Sequence, residues 1–385
     1  MRIFILGGAG AMGSETTKDI VSTGHFSEIA VGDIAVERTK EFISKIKDER
    51  LSVVKIDASN IDEIVEAIKG FDIVACALPF KYDFNVTKAC IRAKVNGIDL
   101  SSNESQFALD DEAREAGITY IAGCGATPGT TNIMAKYGIN KLDSAEKVEI
   151  AFAAFRSTAI APGLLYTTLW EFDPDVEERA YFENGEFIRV KPLEGAKTVE
   201  FHGQIGKQSV VYVPHEETYT LPKTFPQLKK VEVRGCFPPR TMGLVRMMVK
   251  YDFYQKQPIE VNGDKVKPVD FMFNFLLQNP EAKKNPVWAY GLVVEVVGKK
   301  GGKPAKISLK NSHPPMESWG GKSAYGKNVG IPLSIGAQMI ARGKAKGKGV
   351  LPPEASLDAM SFFNELSKRG IKIGERMESY VGRNA

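Results

Sequence analysis

The fold of this chain is decided by the stretch RIFILGGAGAMG, residues 2–13. Its apolar first half is typical of a buried parallel strand, and its glycines follow the spacing G-x-G-x-x-G just before a segment with helical periodicity. In such a strand–turn–helix, Gly8 is predicted to permit a tight turn, Gly10 to let the backbone approach a diphosphate, and Gly13 to let the helix pack on the strand. We therefore expect a dinucleotide cofactor to bind along the backbone of Gly8, Ala9, Gly10, Ala11, Met12 and Gly13.

The same pattern of strands and helices continues as far as residue 122. Segments with helical spacing separate a series of apolar runs, at 28–33, 51–57, 71–79, 97–100 and 118–122. One of the intervening helices is predicted at 60–69, with Asn60 as its N-cap, and another at 105–116. This alternation predicts an α/β fold, a Rossmann doubly wound parallel sheet, over residues 1–125.

An acidic residue at the end of the second strand is a further mark of a dinucleotide site, and Asp33 stands there. Its carboxylate would accept hydrogen bonds from the adenosine ribose hydroxyls and would repel a 2′-phosphate. We therefore expect NAD as the cofactor, with NADP as the alternative that the neighbouring Arg38 and Lys40 would favour. The other interpretation is a structural glycine turn beside a helix-capping Asp33.

Two more strand ends are expected to contact the cofactor. Asp57-Ala58 ends the third strand, where this fold places the adenine, although a helix cap explains Asp57 nearly as well. Ala77-Leu78-Pro79 ends the fourth strand, where the cofactor crosses the sheet. Pro79 is predicted either to shape the wall beside the nicotinamide ribose or only to end the strand.

Beyond residue 125 the helical spacing gives way to alternating runs, among them 147–155 and 288–297. The second of these runs leads through a lysine-rich tip into another alternating run, which indicates a β-hairpin. Residues 126–330 are therefore predicted to form a mixed α/β (α+β) domain that binds substrate. Helical spacing returns in residues 331–385, with helices expected at 333–342 and 356–369.

The candidates for chemistry come from both domains. Asp99 follows the fifth strand, and Cys124 lies in a glycine-rich turn after the sixth; substrate contact and a plain structural role are both open for each. In the second domain His215 would serve as a general base at neutral pH, or lie solvated at a strand end. Arg234 and Arg240 are candidates to hold a substrate carboxylate, with a surface ion pair as the alternative.

Composition excludes several other classes of protein. The net charge of +4, from 51 basic and 47 acidic residues, gives no reason to expect nucleic acid as a partner. No apolar run reaches the roughly 20 residues of a membrane helix, so no membrane partner is expected. Four irregularly spaced cysteines predict reduced thiols in a cytoplasmic protein, and four scattered histidines predict no metal site.

Taken together, these pieces resemble the saccharopine dehydrogenase-like family, and within it the lysine 6-dehydrogenase branch. The resemblance begins with the glycine stretch and Asp33. It extends to five further stretches, namely GIDLSSNES (97–105), AGCGATPGTTNIMAKYG (122–138), YFENGEF (181–187), HEETYTLP (215–222) and GVLPPEASLDAMSFFNELSKRGIKI (349–373). The glycine stretch is unspecific, whereas the element from Pro128 to Asn132 and the GVLPPE stretch are much more specific.

The resemblance implies a Rossmann domain interrupted by the mixed domain, with the C-terminal segment returning to pack on the first. It also implies a homodimer and redox chemistry at a carbon–nitrogen bond of a small-molecule amino acid or amine. Many relatives carry an acidic residue before Pro128; here it is Thr127, which we take as a candidate catalytic residue. Arg234 and its neighbours match the arginine element of the family only loosely.

Three functional hypotheses remain at this point. The first is a dehydrogenase of amino acids or carboxylated polyamines that uses NAD or NADP. The second is a transferase resembling homospermidine synthase, in which NAD is used and regenerated within one cycle. The third is a protein that binds nicotinamide without catalysis, which a full second domain makes the weakest of the three.

Overall fold

The computed structural model describes residues 1–379, which fall into two compact units. The first unit comprises Met1–Lys141 and Gly326–Ile373, and the second comprises Leu142–Tyr325 with a segment that begins at Gly374. The domain boundaries expected at residues 125 and 330 stay a prediction, because compactness alone does not define which part binds substrate. Among the described residues, none of the helices has the length and apolar character needed to cross a membrane.

Strands and helices alternate in the first 141 residues, in the order β1 (Arg2–Leu6), α1 (Gly13–Thr23), β2 (Glu28–Asp33), α2 (Val36–Ile46), β3 (Leu51–Lys55), α3 (Ile61–Ile68), β4 (Ile73–Cys76), α4 (Asp83–Ala93), β5 (Asn96–Asp99), α5 (Glu104–Phe107), α6 (Asp110–Glu115), β6 (Thr119–Ile121) and α7 (Thr130–Lys141). The middle segment holds β7 (Ser144–Phe155), α8 (Pro162–Trp170), β8 (Ala180–Glu183), β9 (Glu186–Arg189), β10 (Lys197–Glu200), β11 (Lys207–Tyr212), α9 (Glu217–Thr224), β12 (Lys230–Cys236), α10 (Pro239–Lys250), β13 (Ile259–Val261), β14 (Asp264–Val266), α11 (Pro268–Gln278), β15 (Ala289–Lys300) and β16 (Lys303–Ser312). The chain then forms α12 (Ser323–Ala341), β17 (Gly349–Leu351), α13 (Pro353–Ser356), α14 (Ala359–Lys368) and β18 (Lys372–Ser379).

The first sheet has seven strands in the order β17-β6-β5-β4-β1-β2-β3, and every pair in it is parallel. The order reverses at β1, which lies between β2 and β4. This is the Rossmann arrangement, in which ligands bind where the strand order reverses. The Rossmann fold predicted from the sequence is confirmed.

The central strands of this sheet are buried on both faces, which explains why they are apolar throughout rather than alternating, whereas the edge strand β3 is only partly buried. In β1, the four residues from Ile3 to Leu6 are fully buried, and β4 is buried along its whole length. The helix predicted after β3 is present and begins at Asn60, whose side chain accepts hydrogen bonds from the backbone of Asp62 and Glu63.

The second unit contains a mixed sheet in which the strands follow the order β10-β11-β12-β7-β15-β16-β18, while β8 and β9 extend from β12. Its central pair, β12 and β7, is parallel, whereas β7–β15 and β15–β16 are antiparallel. The hairpin predicted around residues 299–303 joins β15 to β16. The mixed α/β architecture of the second domain is confirmed.

Three helix predictions differ from the structure. The helix expected at 105–116 is divided into α5 and α6, because the side chain of Asn103 caps the first and a second helix begins at Asp110. The helix expected at 356–369 is likewise divided, into α13 and α14, with Asp358 as the cap of the latter. The helix expected at 333–342 begins earlier, at Ser323.

Candidate functional site

The glycine turn between β1 and α1 is held by short backbone hydrogen bonds. The amide of Gly7 donates to the carbonyl of Gly32 at 2.8 Å, and the amide of Gly10 donates to the carbonyl of Gly7 at 2.9 Å. The left-handed residue of the turn is Gly7, with φ +69°. Gly8 is required for space instead, because a Cβ there would lie 2.7 Å from the hydroxyl of Thr17.

The other two glycines have the roles expected of them in packing and access. A Cβ on Gly13 would overlap the carbonyl of Gly7, so the helix packs closely on the strand only because Gly13 has no side chain. At Gly10, in contrast, the carbonyl oxygen of Gly7 at 3.1 Å is the one atom of the described chain, apart from adjoining residues, that a Cβ would approach within 4 Å. Gly10 therefore faces open space, and α1 begins beside it without a side-chain cap at Met12. These features fit a diphosphate.

Asp33 lies at the end of β2, beside this turn, and is only 6% exposed. One of its carboxylate oxygens accepts a hydrogen bond from the amide of Ala35 at 2.9 Å, and the other lies 3.2 Å from the guanidinium of Arg38. The Arg38 side chain is 61% exposed, so this ion pair opens readily to solvent. The pair places a carboxylate and a guanidinium side by side at the end of β2.

The chain segments that follow β3 and β4 have different contacts. Asp57 accepts hydrogen bonds from the amide and hydroxyl of Ser59, while the carbonyl of Ala58 accepts one from Asn85 at 3.0 Å. Asp57 therefore closes a local turn, and the cap of α3 is Asn60. After β4, Leu78 and Ala77 lie against Gly7, since a Cβ on that glycine would meet both. Pro79 follows them and precedes a short turn at residues 80–82.

Asp99 is fully buried at the end of β5 and has three protein donors. Its oxygens accept hydrogen bonds from Gln106 at 2.6 Å, from the Tyr120 hydroxyl at 2.8 Å and from the Gly123 amide at 2.8 Å. Burial raises the pKa of Asp99 to about 7, although these hydrogen bonds lower it. The contacts favour the structural alternative, in which Asp99 holds the turn after β6 in place. The proposed proton-transfer role stays a prediction.

The turn after β6 carries Cys124 and Thr127. The Cys124 thiol is buried and donates to the carbonyl of Pro332 at 3.6 Å, and burial raises its pKa above the usual range. Cys124 is therefore a small buried thiol and not a thiolate at neutral pH. Thr127 is half-buried at the start of α7, next to a cis peptide bond with Pro128.

In the second unit, His215 lies at the end of β11, next to the start of α9. Its side chain is 10% exposed, so the solvated alternative is not what the structure shows. The Nδ1 atom of His215 is 3.4 Å from a carboxylate oxygen of Glu217, and its ring lies 4.9 Å from that of Phe152. Burial lowers the pKa of His215, but the Glu217 carboxylate outweighs this effect and raises it to about 9. The imidazole is thus protonated at neutral pH.

The two candidate arginines are in different surroundings. Arg234 donates to the Glu232 carboxylate at 2.6 Å, to the Tyr212 hydroxyl at 2.6 Å and to the Gly195 carbonyl at 2.7 Å. These three bonds favour the ion-pair alternative for Arg234 over a free anion-binding group. Arg240 is 65% exposed and 3.6 Å from Glu281, which is a weak surface contact.

Sequence reasoning missed several buried charged side chains of the second unit, among them Arg156 and Glu171. They are 2% and 4% exposed. The guanidinium of Arg156 donates to three backbone carbonyls and, at 2.6 Å, to the Thr168 hydroxyl. Neither residue belongs to a recognisable motif, and only the tertiary fold reveals that each is buried.

A small group of potential metal ligands occurs beside them. One donor atom each from His215, Glu216 and Glu217 lies within 4.8 Å of the others. All three belong to consecutive residues, a spacing unlike that of zinc sites in proteins, and we assign no metal to this group.

Comparison with known proteins covers nearly the whole chain. Residues 3–121 match the family model described as the saccharopine dehydrogenase NADP binding domain, and residues 125–371 match the saccharopine dehydrogenase C-terminal domain. The chain is 23% identical to carboxyaminopropylagmatine dehydrogenase of Synechocystis sp., over 94% of this chain and 95% of that protein. It is 25% identical to carboxynorspermidine synthase of Vibrio alginolyticus, over 89% and 90% of the two chains.

A solved structure supports the same relationship at the level of the fold. The apo structure of histidine-tagged saccharopine dehydrogenase (L-Glu forming) from Saccharomyces cerevisiae superposes with a TM-score of 0.73 at 15% sequence identity. The similarity covers 98% of this chain and 99% of that one, so both units are part of the shared fold.

Proposed function

The chain belongs to the saccharopine dehydrogenase family, and from that premise we propose that it is an NAD(P)-dependent oxidoreductase acting at a carbon–nitrogen bond of a carboxylated amine. The observation that carries this proposal is the pair of consecutive family matches, which together run from residue 3 to residue 371. The names of two full-length relatives supply the substrate class, since both denote carboxylated amines. Lysine, the substrate of the branch that the sequence resembles, is the alternative.

The first unit would hold the cofactor with groups whose geometry fits it. The diphosphate would bind at Gly10 and the start of α1, where a helix N-terminus offers backbone amides to an anion. Asp33 would accept hydrogen bonds from the adenosine ribose, which supports a preference for NAD. If Arg38 leaves Asp33, its guanidinium would instead bind the 2′-phosphate of NADP.

When bound, the nicotinamide exchanges a hydride with the carbon that carries the amine nitrogen. The chain itself must supply the accompanying proton exchange, and we assign that role to His215. Because the pKa of His215 is raised to about 9, its imidazolium would donate a proton in the reductive direction at neutral pH. In the oxidative direction it would act as a base only at alkaline pH. The turn after β6 is then assigned a structural role, and its shape depends on Asp99, Cys124 and Thr127.

A homodimer in the cytoplasm is part of the same proposal. The dimer is expected from the family resemblance alone. The location is supported by the four cysteines, all of which are buried and free of disulfides.

The proposal is tested by following the absorbance of reduced cofactor with purified protein at alkaline pH. NAD and NADP are each combined with lysine, saccharopine and carboxylated polyamines, and the reverse reaction is run with NADPH or NADH, a diamine and an amino-acid semialdehyde. We expect turnover with a carboxylated polyamine. Product formed from amines without net change in absorbance would instead identify the transferase, and binding of cofactor without any product would leave the third hypothesis.

A further inference from the structure

The two stretches that carry the more specific family resemblance, Pro128 to Asn132 and GVLPPE, lie against each other in the first unit. The strand of the second stretch, β17, pairs with β6, and the amide of Ala122 donates to the carbonyl of Leu351 at 3.0 Å. Helix α13 follows β17 and packs on α7. The C-terminal stretch therefore contacts the chain on both sides of the turn after β6, at the strand before it and at the helix after it.

A buried carboxylate of the C-terminal stretch, Glu354, is connected to this turn through an amide side chain. The Nδ2 atom of Asn132 donates to Glu354 Oε2 at 2.9 Å, and the backbone amide of Gly129 donates to Asn132 Oδ1 at 2.7 Å. Glu354 and Asn132 are each 1% exposed. Because an ionised carboxylate accepts hydrogen bonds and donates none, Glu354 makes Asn132 present its amide nitrogen to the carboxylate and its oxygen to Gly129.

The turn that these bonds hold is closed on itself. The amide of Gly125 donates to the carbonyl of Pro128 at 2.9 Å, and the amide of Thr130 donates to the carbonyl of Gly125 at 2.9 Å. Gly129 has a φ of +124°, and a Cβ there would overlap the backbone of Gly125. With so little room inside the turn, a displacement of Gly129 would move residues 125–129 together.

The exposed part of the turn is Thr127, on the side of the sheet where ligands bind. Between residues 118 and 135, Thr127 is the one residue that is not buried. Ligands of this fold bind outside the carboxyl ends of the strands. The strand of Asp33, β2, lies on one side of the reversal at β1, and β4, β5 and β6 lie on the other. Because Asp33 is assigned to the adenosine ribose, we expect the nicotinamide half of the cofactor on the side of the Thr127 turn.

We propose that Glu354 is a positioning residue for the nicotinamide half of the cofactor, acting through Asn132 and Gly129 on the turn that carries Thr127. Without Glu354 the buried amide nitrogen of Asn132 would lose this acceptor, and the amide could rotate and release Gly129. The adenosine half would bind on the other side of β1 and should not depend on Glu354. The inference rests on the cofactor binding of the proposed function, and on neither its amine substrate nor its direction.

The test compares two ligands of the full-length protein, NADH, followed by its fluorescence, and ADP-ribose, which lacks the nicotinamide, followed by calorimetry. We expect Glu354→Ala to weaken NADH binding about fivefold or more and ADP-ribose binding less than about twofold. Glu354→Gln keeps an acceptor of the same reach and should retain the affinity for NADH within about twofold. Glu115→Ala, at an exposed position in α6, is the matched control and should leave both affinities unchanged.

Three results would overturn the inference: unchanged NADH affinity in Glu354→Ala, equal losses for NADH and ADP-ribose, or a Glu354→Gln protein as weak as Glu354→Ala. If Glu354→Ala does not fold, as judged by its melting curve, Asn132→Asp decides. This variant keeps the acceptor for Gly129 but has no donor for Glu354, so it should show the same selective loss of NADH.

The two proposals fail separately in these measurements, because binding needs no turnover. An unmodified protein that binds NADH, shows the selective loss and turns over no amine loses only the proposed function. One that turns over amines but binds NADH equally well with and without Glu354 loses only the positioning role. A protein that binds no nicotinamide cofactor loses both.

Discussion

Asp33 and Arg38 are the residues from which we expect cofactor preference to arise. The carboxylate of Asp33 is held by the Ala35 amide and so keeps its position when Arg38 moves. A ribose hydroxyl would donate a hydrogen bond to this carboxylate, whereas a 2′-phosphate would meet its negative charge. The arginine acts in the opposite sense, since it attracts phosphate.

We therefore predict that Asp33→Ala weakens the binding of NADH by about tenfold or more and that of NADPH by less, because only the former loses a hydrogen bond to a charged group. Dissociation constants from cofactor fluorescence measure both. Asp111→Ala, an exposed position in α6, is the control. An equal loss of affinity for the two cofactors would show that Asp33 does not bind the ribose.

Asp99 is expected to matter for stability through its three donors. In Asp99→Ala the Tyr120 hydroxyl and the Gly123 amide would remain buried without this acceptor, and the Gln106 amide would keep only its bond to Thr87. We predict a loss of about 3 kcal/mol or more in the free energy of unfolding, measured by urea denaturation. The exposed Asp111→Ala should change it by less than about 0.5 kcal/mol. A stable Asp99→Ala protein without turnover would instead favour the catalytic role.

At the scale of elements, β17 shows how the C-terminal segment completes the first sheet. The strand pairs in parallel with β6, and the amide of Val350 donates to the Asp110 carboxylate at 2.9 Å. Gly349 begins this strand with φ +117°, and a Cβ there would overlap the same carboxylate. The GVLPPE stretch is therefore specific for a physical reason, because its glycine permits β17 to dock.

We predict that Gly349→Val lowers the melting temperature by several degrees, since it adds both backbone strain and a clash with Asp110. Gly343→Val is a matched control. Gly343 also has a positive φ, of +67°, but an added Cβ there meets no atom of the described chain within 4 Å. If both variants melt at the same temperature, the clash contributes nothing and the importance assigned to β17 docking is wrong.

The elements also show what the sequence could predict. The Rossmann strands were predictable because their burial on both faces produces continuous apolar runs, and the glycine spacing identified the turn between β1 and α1. The division of α5 from α6 could not be predicted. It depends on Asn103, which caps α5, and on Asp110, whose carboxylate accepts a hydrogen bond from β17. In the second unit, β12 pairs in parallel with β7 from more than 80 residues away along the chain, and no local pattern encodes such a pairing.

The candidate site divides in the same way. The glycines between β1 and α1 and the acidic residue at the end of β2 have a fixed spacing in the sequence. Their positions could therefore be inferred from it. The left-handed backbone of Gly7 was not predicted, because backbone angles depend on how the turn leaves the strand. Glu171 belongs to no sequence motif. Its burial results from tertiary packing and could not be predicted.

At the scale of the whole molecule, buried acids and His215 make stability depend on pH. The pKa of Asp99, Glu171 and Glu216 is raised to about 7, from ordinary values of 3.8 and 4.5, and that of His215 to about 9 from 6.5. In each case the folded state binds more protons than the unfolded state within that interval. These four groups therefore lower the free energy of unfolding as pH rises through it, and they outnumber His202 and His313, whose pKa burial lowers and which act in the opposite sense below about pH 6.5.

We predict that the urea midpoint decreases from pH 5 to pH 9, first as the acids ionise and then as His215 loses its proton. Glu171→Gln should flatten the part of this curve below pH 7, and Glu178→Gln, at an exposed position, should not. A midpoint that rises between pH 5 and pH 7 in the unmodified protein would contradict the assignment of these buried groups.

The central claim is that the first unit binds a nicotinamide dinucleotide through the turn around Gly10. The most direct measurement is calorimetric titration of the full-length protein with NADH and with NADPH, repeated on Gly10→Val and on Gly243→Val, an exposed glycine whose added Cβ meets no described atom within 4 Å. We predict one site per chain with a dissociation constant between about 1 μM and about 1 mM for at least one cofactor, lost in Gly10→Val and retained in Gly243→Val. The absence of heat with both cofactors at millimolar concentration, or undiminished binding by a folded Gly10→Val, would contradict the claim.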